Sequence, residues 1–197
     1  MATPALLAEQ MELRLHPSCH WRGTFFSSLS HPELVYSSTT LENNKYMSED
    51  VKVNRERMIE LLNEDLSREY QAIIAYTIYS QTIKGAAFNN IASELEGHAS
   101  EELNHAILLA RQIDYFSGRP TSIPKEVKIS DQAEEMLRFD LENEKQTIQN
   151  YRQRIRQADA MGEFALGEVL RKIIAEEQDH LMDLADALGI DAPKTGD

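Results

Sequence analysis

Glu101-Glu102-Leu103-Asn104-His105 returns later in the chain as Glu176-Glu177-Gln178-Asp179-His180. Both stretches contain Glu-x-x-His, and residues three apart share one face of a helix, so each aims a carboxylate and an imidazole at one point. A further carboxylate precedes each at the same distance: Glu69 stands 33 residues before Glu102, and Glu144 stands 33 before Glu177. The two halves are offset by 75 residues, and positions outside the motifs obey the same offset. Leu62, Asp65, Leu66, Gln71, Ile73, Tyr76, Leu95 and Ala110 map onto Leu137, Asp140, Leu141, Gln146, Ile148, Tyr151, Leu170 and Ala185. The chain therefore reads as a duplicated helical hairpin, and two copies are too few for a solenoid, so they are expected to pack together as one domain.

Apolar residues at Met58, Leu61, Leu62, Leu66, Ile73, Tyr76 and Ile83 keep a helical period up to Gly85, with Ser48 as the expected N-cap. A second helix is predicted from about Phe88 to about Phe116, stopped by Gly118-Arg119-Pro120. A third opens on Ser130 and ends near Met161-Gly162, and a fourth runs from about Phe164 to Leu188, closed by Gly189. The segment from Gly118 to Ser130 holds Pro120 and Pro124 and is too long for a hairpin turn, so it reads as a crossover. Short, long and short connections predict an all-α antiparallel four-helix bundle over 48–189. Residues 1–47 form a Ser/Thr-rich N-terminal arm, expected to be dispensable, and 190–197 a short C-terminal tail.

Composition narrows the class of activity. The net charge of −13 falls almost wholly on the helical region, which repels nucleic acid and attracts cations. One cysteine, Cys19, excludes an intramolecular disulfide framework and any four-cysteine metal site. With His16 and His20 it offers three ligands without a fourth, which does not make a metal site. No run of 18 apolar residues or secretory leader pattern stands out, and the protein is expected to be cytoplasmic, off the membrane.

Register brings the motif residues to one height. Glu69 and Glu102 flank Gly85 at nearly equal separation, placing both roughly 25 Å from the turn at 1.5 Å per residue, and Glu144 and Glu177 flank Gly162 in the same way. Four carboxylates and two imidazoles converging inside a bundle are too costly to desolvate unless cations sit among them. Oxygen ligands with two nitrogens suit two iron ions per chain, with manganese the alternative. The expected arrangement puts Glu69 and His105 on one ion, Glu144 and His180 on the other, and Glu102 and Glu177 between them. Such a pair suits ferrous oxidation.

Residues 48–189 resemble the ferritin-like superfamily, and within it bacterioferritin. Glu69, Glu102, His105, Glu144, Glu177 and His180 match its ferroxidase ligands one by one, and Met136-Leu137-Arg138 with Asp140-Leu141 resembles the opening of its third helix. The resemblance implies a ferritin-like four-helix bundle whose di-iron site oxidises Fe(II) with O2 or H2O2 and, if copies close into a shell, stores the product. Haem is not expected, because bacterioferritins that bind it use a Met directly after the second-helix Glu, where this chain has Leu103. Bacterioferritins also carry a fifth helix, absent from this pattern, which argues against their usual 24-subunit cage; a homo-oligomer is expected, a dimer, 12-mer or 24-mer. Dps-like relatives with such sites often show a Cys pair, which this chain lacks. The competing activity is a rubrerythrin-like peroxidase or another iron or manganese oxidoreductase, including manganese catalase chemistry, without mineral storage.

Three neighbours carry secondary expectations. Tyr76 lies two turns past Glu69 and resembles the redox-active tyrosine beside bacterioferritin sites, although duplication alone would also place its copy, Tyr151. His98, two turns before His105, is read as a hydrogen-bonded half-buried histidine ahead of a role in proton transfer or transient iron binding. Glu94, Glu101 and Glu176 are read as solvated or cage-lining carboxylates, with a place along a path for iron as the further reading.

Overall fold

The computed structural model describes residues 51–196, which form four long helices and, among the described residues, no strand. They are α1 (Arg55–Thr82), α2 (Asn89–Tyr115), α3 (Ala133–Met161) and α4 (Phe164–Ala187), with a single 3-10 turn, Ala86–Phe88, between the first two. α1 packs chiefly on α2 and α3 chiefly on α4, while lighter α2–α4 and α1–α3 contacts join the two hairpins. This is the expected ferritin-like antiparallel bundle. The Cys19, His16 and His20 group and the proposed Ser48 cap lie outside the described residues.

Helix ends show where local signals held and where tertiary contact decided. α1 opens at Arg55, with Asn54 as N-cap accepting from Arg57 N at 2.8 Å. Ser130 stands ahead of α3: its Oγ accepts from Gln132 N at 3.0 Å and reaches Glu135 at 2.7 Å, while Gln132 occupies the cap position. Gly162 closes α3 in the left-handed region, φ 76°, as its place after a helix suggests. At the end of α2 the left-handed residue is Ser117, φ 62°, and Gly118 serves a different need. A Cβ there would come within 2.6 Å of Ile59, so glycine lets the chain pass close to α1.

The crossover runs along α1. Thr121 N donates to Asn63 Oδ1 at 2.6 Å, Lys125 N to Ser67 O at 2.9 Å, Gln71 Nε2 to Glu126 O at 2.5 Å, and the Tyr79 hydroxyl to Lys128 O. These bonds satisfy an otherwise irregular backbone and hold it against the helix.

Buried apolar residues fall into two clusters. One contains Tyr79, Leu95, Leu137, Ile148 and Leu184, and the other Leu62, Leu66, Leu109, Leu170 and Ile173. On α1, α2 and α4 the motif residues lie between the two, and on α3 Glu144 lies between Leu141 and Ile148 of the first, so apolar packing bounds the polar layer. Leu62 and its duplicate Leu137 are both fully buried, one in each cluster. Leu62→Ala and Leu137→Ala are each expected to cost about 2–5 kcal/mol, read from urea midpoints. A loss near that of an exposed site, about 0.5 kcal/mol, would show that the clusters do not carry the bundle.

Candidate metal centre

All six motif residues reach the polar layer, and none is more than 2 % exposed: Glu69 from α1, Glu102 and His105 from α2, Glu144 from α3, Glu177 and His180 from α4. His105 Nδ1 lies 3.4 Å from Glu69 Oε2, 3.1 Å from Glu102 Oε2 and 3.2 Å from Glu177 Oε1. His180 Nδ1 lies 3.1 Å from Glu102 Oε1 and 3.3 Å from Glu177 Oε2. Two four-residue sets result, each with its donor atoms within 4.8 Å of one another: Glu69, Glu102, His105 and Glu177, and Glu102, Glu144, Glu177 and His180. They share Glu102 and Glu177.

Hydrogen bonding tests whether this donor set suits cations. Glu69 Oε2, Glu102 Oε1, Glu144 Oε2, both Glu177 oxygens and His180 Nδ1 are buried with no hydrogen-bond partner. Burying such atoms unpaired is costly, and here they face one another. Hard cations among them would satisfy them all, so the donor set fits divalent metal.

Without metal, protons supply the missing positive charge. Burial, then the neighbouring Glu102 and Glu177, push the Glu69 carboxyl well up; burial, then Glu177 and Glu102, do the same to Glu144. Burial alone lowers an imidazole, but the Glu102 and Glu177 carboxylates, 3.1 and 3.3 Å from Nδ1, override it and push His180 up to about 12. His105 is driven up the same way, its burial outweighed by the bond to Glu102 and the nearby Glu177 and Glu69 carboxylates. Burial raises Glu102 too, yet its bond to His105 and the close approach of His180 carry it below the usual carboxylate range.

The histidines are oriented by Glu176 and Glu101, a role that the sequence reading did not give them. His105 Nε2 lies 2.7 Å from Glu176 Oε2, and His180 Nε2 lies 2.8 Å from Glu101 Oε2. Each glutamate immediately precedes a motif carboxylate on one helix and holds the imidazole of the other. Donating Nε2–H outward turns Nδ1 toward the cluster, the partnership that metal-bound histidines use. The duplication was the available signal, since Glu101 and Glu176 are one another's repeat.

The tyrosines cross over in the same way. The Tyr76 hydroxyl donates to Glu144 Oε1, and the Tyr151 hydroxyl to Glu69 Oε1, so each half's tyrosine braces the other half's outer carboxylate. Burial, then the facing carboxylate, raises both phenols well above their ordinary value and keeps them protonated. His98, expected to be half-buried, is 4 % exposed. Its ring stacks on His180 with centroids 4.1 Å apart.

Two openings approach the centre. Between α1 and α3 a cavity of about 10 Å³, lined by Arg68, Gln71 and Asn143 among others, touches Glu69, Glu102, Glu144 and Glu177. Between α2 and α4 a wider one of about 170 Å³ reaches His180 past Glu101 and Glu176. No helix among the described residues is long and apolar enough to cross a membrane.

A model of the ferritin-like domain matches residues 59–191. The chain is similar to a bacterioferritin of Brucella melitensis biotype 1, 24% identical over 126 residues, covering 64% of this chain and 78% of that protein. Among solved structures it is similar to a ferritin-like, diiron-carboxylate protein of Bacillus anthracis, at 36% identity and TM-score 0.65, covering 71% of this chain and 97% of that one. It is also similar to the bacterioferritin-related protein of Bacteroides fragilis, described as a dodecameric thioferritin, at 26% identity and TM-score 0.65, covering 76% of this chain and 93% of that one.

Proposed function

The chain belongs to the ferritin-like domain family, and from that premise we propose that it is a di-iron ferroxidase that takes Fe(II) as substrate, uses O2 or H2O2 as oxidant, and stores the ferric product where copies assemble into a shell. The observation that carries this reading is the pair of overlapping ligand sets sharing Glu102 and Glu177. Two ferrous ions held side by side supply two electrons together. In this reading Glu69 with His105 and Glu144 with His180 hold one ion each, and Glu102 and Glu177 bridge them.

The remaining residues orient and move protons. Glu176 and Glu101 keep Nδ1 of His105 and His180 facing the ions. In this reading Tyr76, whose hydroxyl donates to Glu144 Oε1, is a redox-active tyrosine that gives up a proton and an electron together during reoxidation. Exposed Ile74 on α1 and Leu103 and Ile107 on α2 offer apolar surface on which copies of the chain meet.

Adding Fe(II) in air is expected to give a fast oxidation phase saturating near two Fe per chain, followed by slower turnover as product leaves. Tyr76→Phe keeps the ring and removes only the hydroxyl, so binding should persist while recovery of the fast phase slows. Stopped-flow absorbance reads both, and sedimentation after heavy loading reads the mineral and the assembly. A fast phase that does not saturate with iron would count against a paired site. Rapid H2O2 consumption with an external reductant and no ferric core would replace storage with the peroxidase activity.

A further inference from the structure

The cavity between α2 and α4 is lined, apart from Gly97, only by carboxylates and imidazoles. Some of these belong to the centre already described, but Glu94, His98 and Asp183 do not, and they offer three donor atoms within 4.8 Å of one another. Glu94 and Asp183 are exposed, whereas His98 is 4 % exposed and lies at the inner end of the group. The histidine is poorly satisfied for so buried a group: its Nδ1 has no hydrogen-bond partner, and Nε2 has only a long contact, 3.3 Å, to Asp183 Oδ2.

We propose that Glu94, His98 and Asp183 form a separate mononuclear site for a divalent cation, occupied by Fe(II) on its way to the dinuclear centre. One imidazole and two carboxylates neutralise a 2+ ion and leave positions open to water, as befits a site that must release its ion. The spacing is helical on both sides. Glu94 and His98 are one turn apart on α2, and Asp183 stands one turn past His180 on α4.

Donor atoms continue inward from this site. Glu101 groups with both His98 and His180 within the same 4.8 Å limit, and the His98 ring stacks on His180 at 4.1 Å with 26° between planes. An ion moving from Asp183 toward His180 therefore meets a ligand at each step. The handover role rests on the dinuclear reading; the cation site itself does not.

Titration of the full chain with Co(II), which is not oxidised on binding, tests both separately through its visible bands and by metal analysis. Wild type is expected to take three Co(II) per chain, two tightly and one more weakly. Asp183→Asn, a change at an exposed position, should weaken the third ion by about tenfold or more. His98→Gln with Asp183→Asn should abolish it, leaving two tight ions and unchanged helicity by circular dichroism. Saturation of wild type at two, or retention of the third ion in the folded variants, overturns the proposal. If wild type binds a single ion that Asp183→Asn weakens, the mononuclear site stands and the dinuclear reading fails.

Discussion

Glu102→Ala combined with Glu177→Ala is expected to abolish the binding of two divalent ions per chain, lowering affinity by at least about a hundredfold. These two carboxylates belong to both ligand sets, so the double change strips each set to one glutamate and one histidine. Either single variant leaves one shared carboxylate and should lose less. The metal-free fold should survive, since the variant removes two buried carboxylates with unpartnered oxygens and leaves the apolar clusters intact. A proton count gives an independent readout. In the metal-free protein both histidines are raised and carry protons at neutral pH, and metal must displace them. Protons and metal compete, so wild-type affinity falls as pH falls, and loading releases protons that calorimetry in buffers of different ionisation enthalpy detects. Without Glu102 and Glu177 the histidines lose the close carboxylates that raise them, and the release should vanish with the binding. Two ions retained by the double variant would remove these residues from the centre.

The six polar-layer residues could be read from the chain because duplication repeats them. Glu-x-x-His is a weak signal once, but two copies with a carboxylate 33 residues upstream of each leave few other readings. Connection lengths carried the topology for a similar reason, since a proline-broken crossover cannot close a hairpin. What stayed hidden depends on packing between helices. Glu101 and Glu176 look like solvated helix faces, and only the approach of α2 to α4 sets each against the other hairpin's histidine. The hydrogen bonds of the crossover to Asn63, Ser67 and Gln71 leave no trace in local pattern either. Duplication can also mislead. It maps Asp65 onto Asp140, but the residue that pairs with Asp65 is Arg154, whose counterpart in the first half is Tyr79. The second copy therefore lacks the cation: Asp140 Oδ2 has no partner, and burial, then Glu102, pushes its carboxyl well up.

That asymmetry leads to a large effect on stability. Arg154 is 3 % exposed and Asp65 2 % exposed, and the guanidinium donates to both carboxylate oxygens, from Nε at 2.7 Å and from Nη2 at 3.1 Å, while Nη1 reaches Gln157 at 2.7 Å. Burial raises the Asp65 carboxyl above its ordinary value and the bonds to Arg154 offset part of that rise, so the carboxylate depends on its arginine. Arg154→Met keeps much of the volume and leaves Asp65 buried without its hydrogen-bonded cation, and should destabilise the protein by about 3–5 kcal/mol. Removing both charges, as Arg154→Met with Asp65→Leu, takes away the orphan and should recover most of that loss. The two changes are then strongly non-additive, which a double-mutant cycle of urea midpoints measures. Asp65 lies one turn before Glu69, so two-ion binding in the doubly substituted chain separates a structural brace from a part of the metal centre. A cost below about 1 kcal/mol for Arg154→Met would mean that the pair behaves like an exposed one. Equal damage from the single and the paired substitutions would instead place the loss in packing of the arginine stem, with Asp65 contributing little.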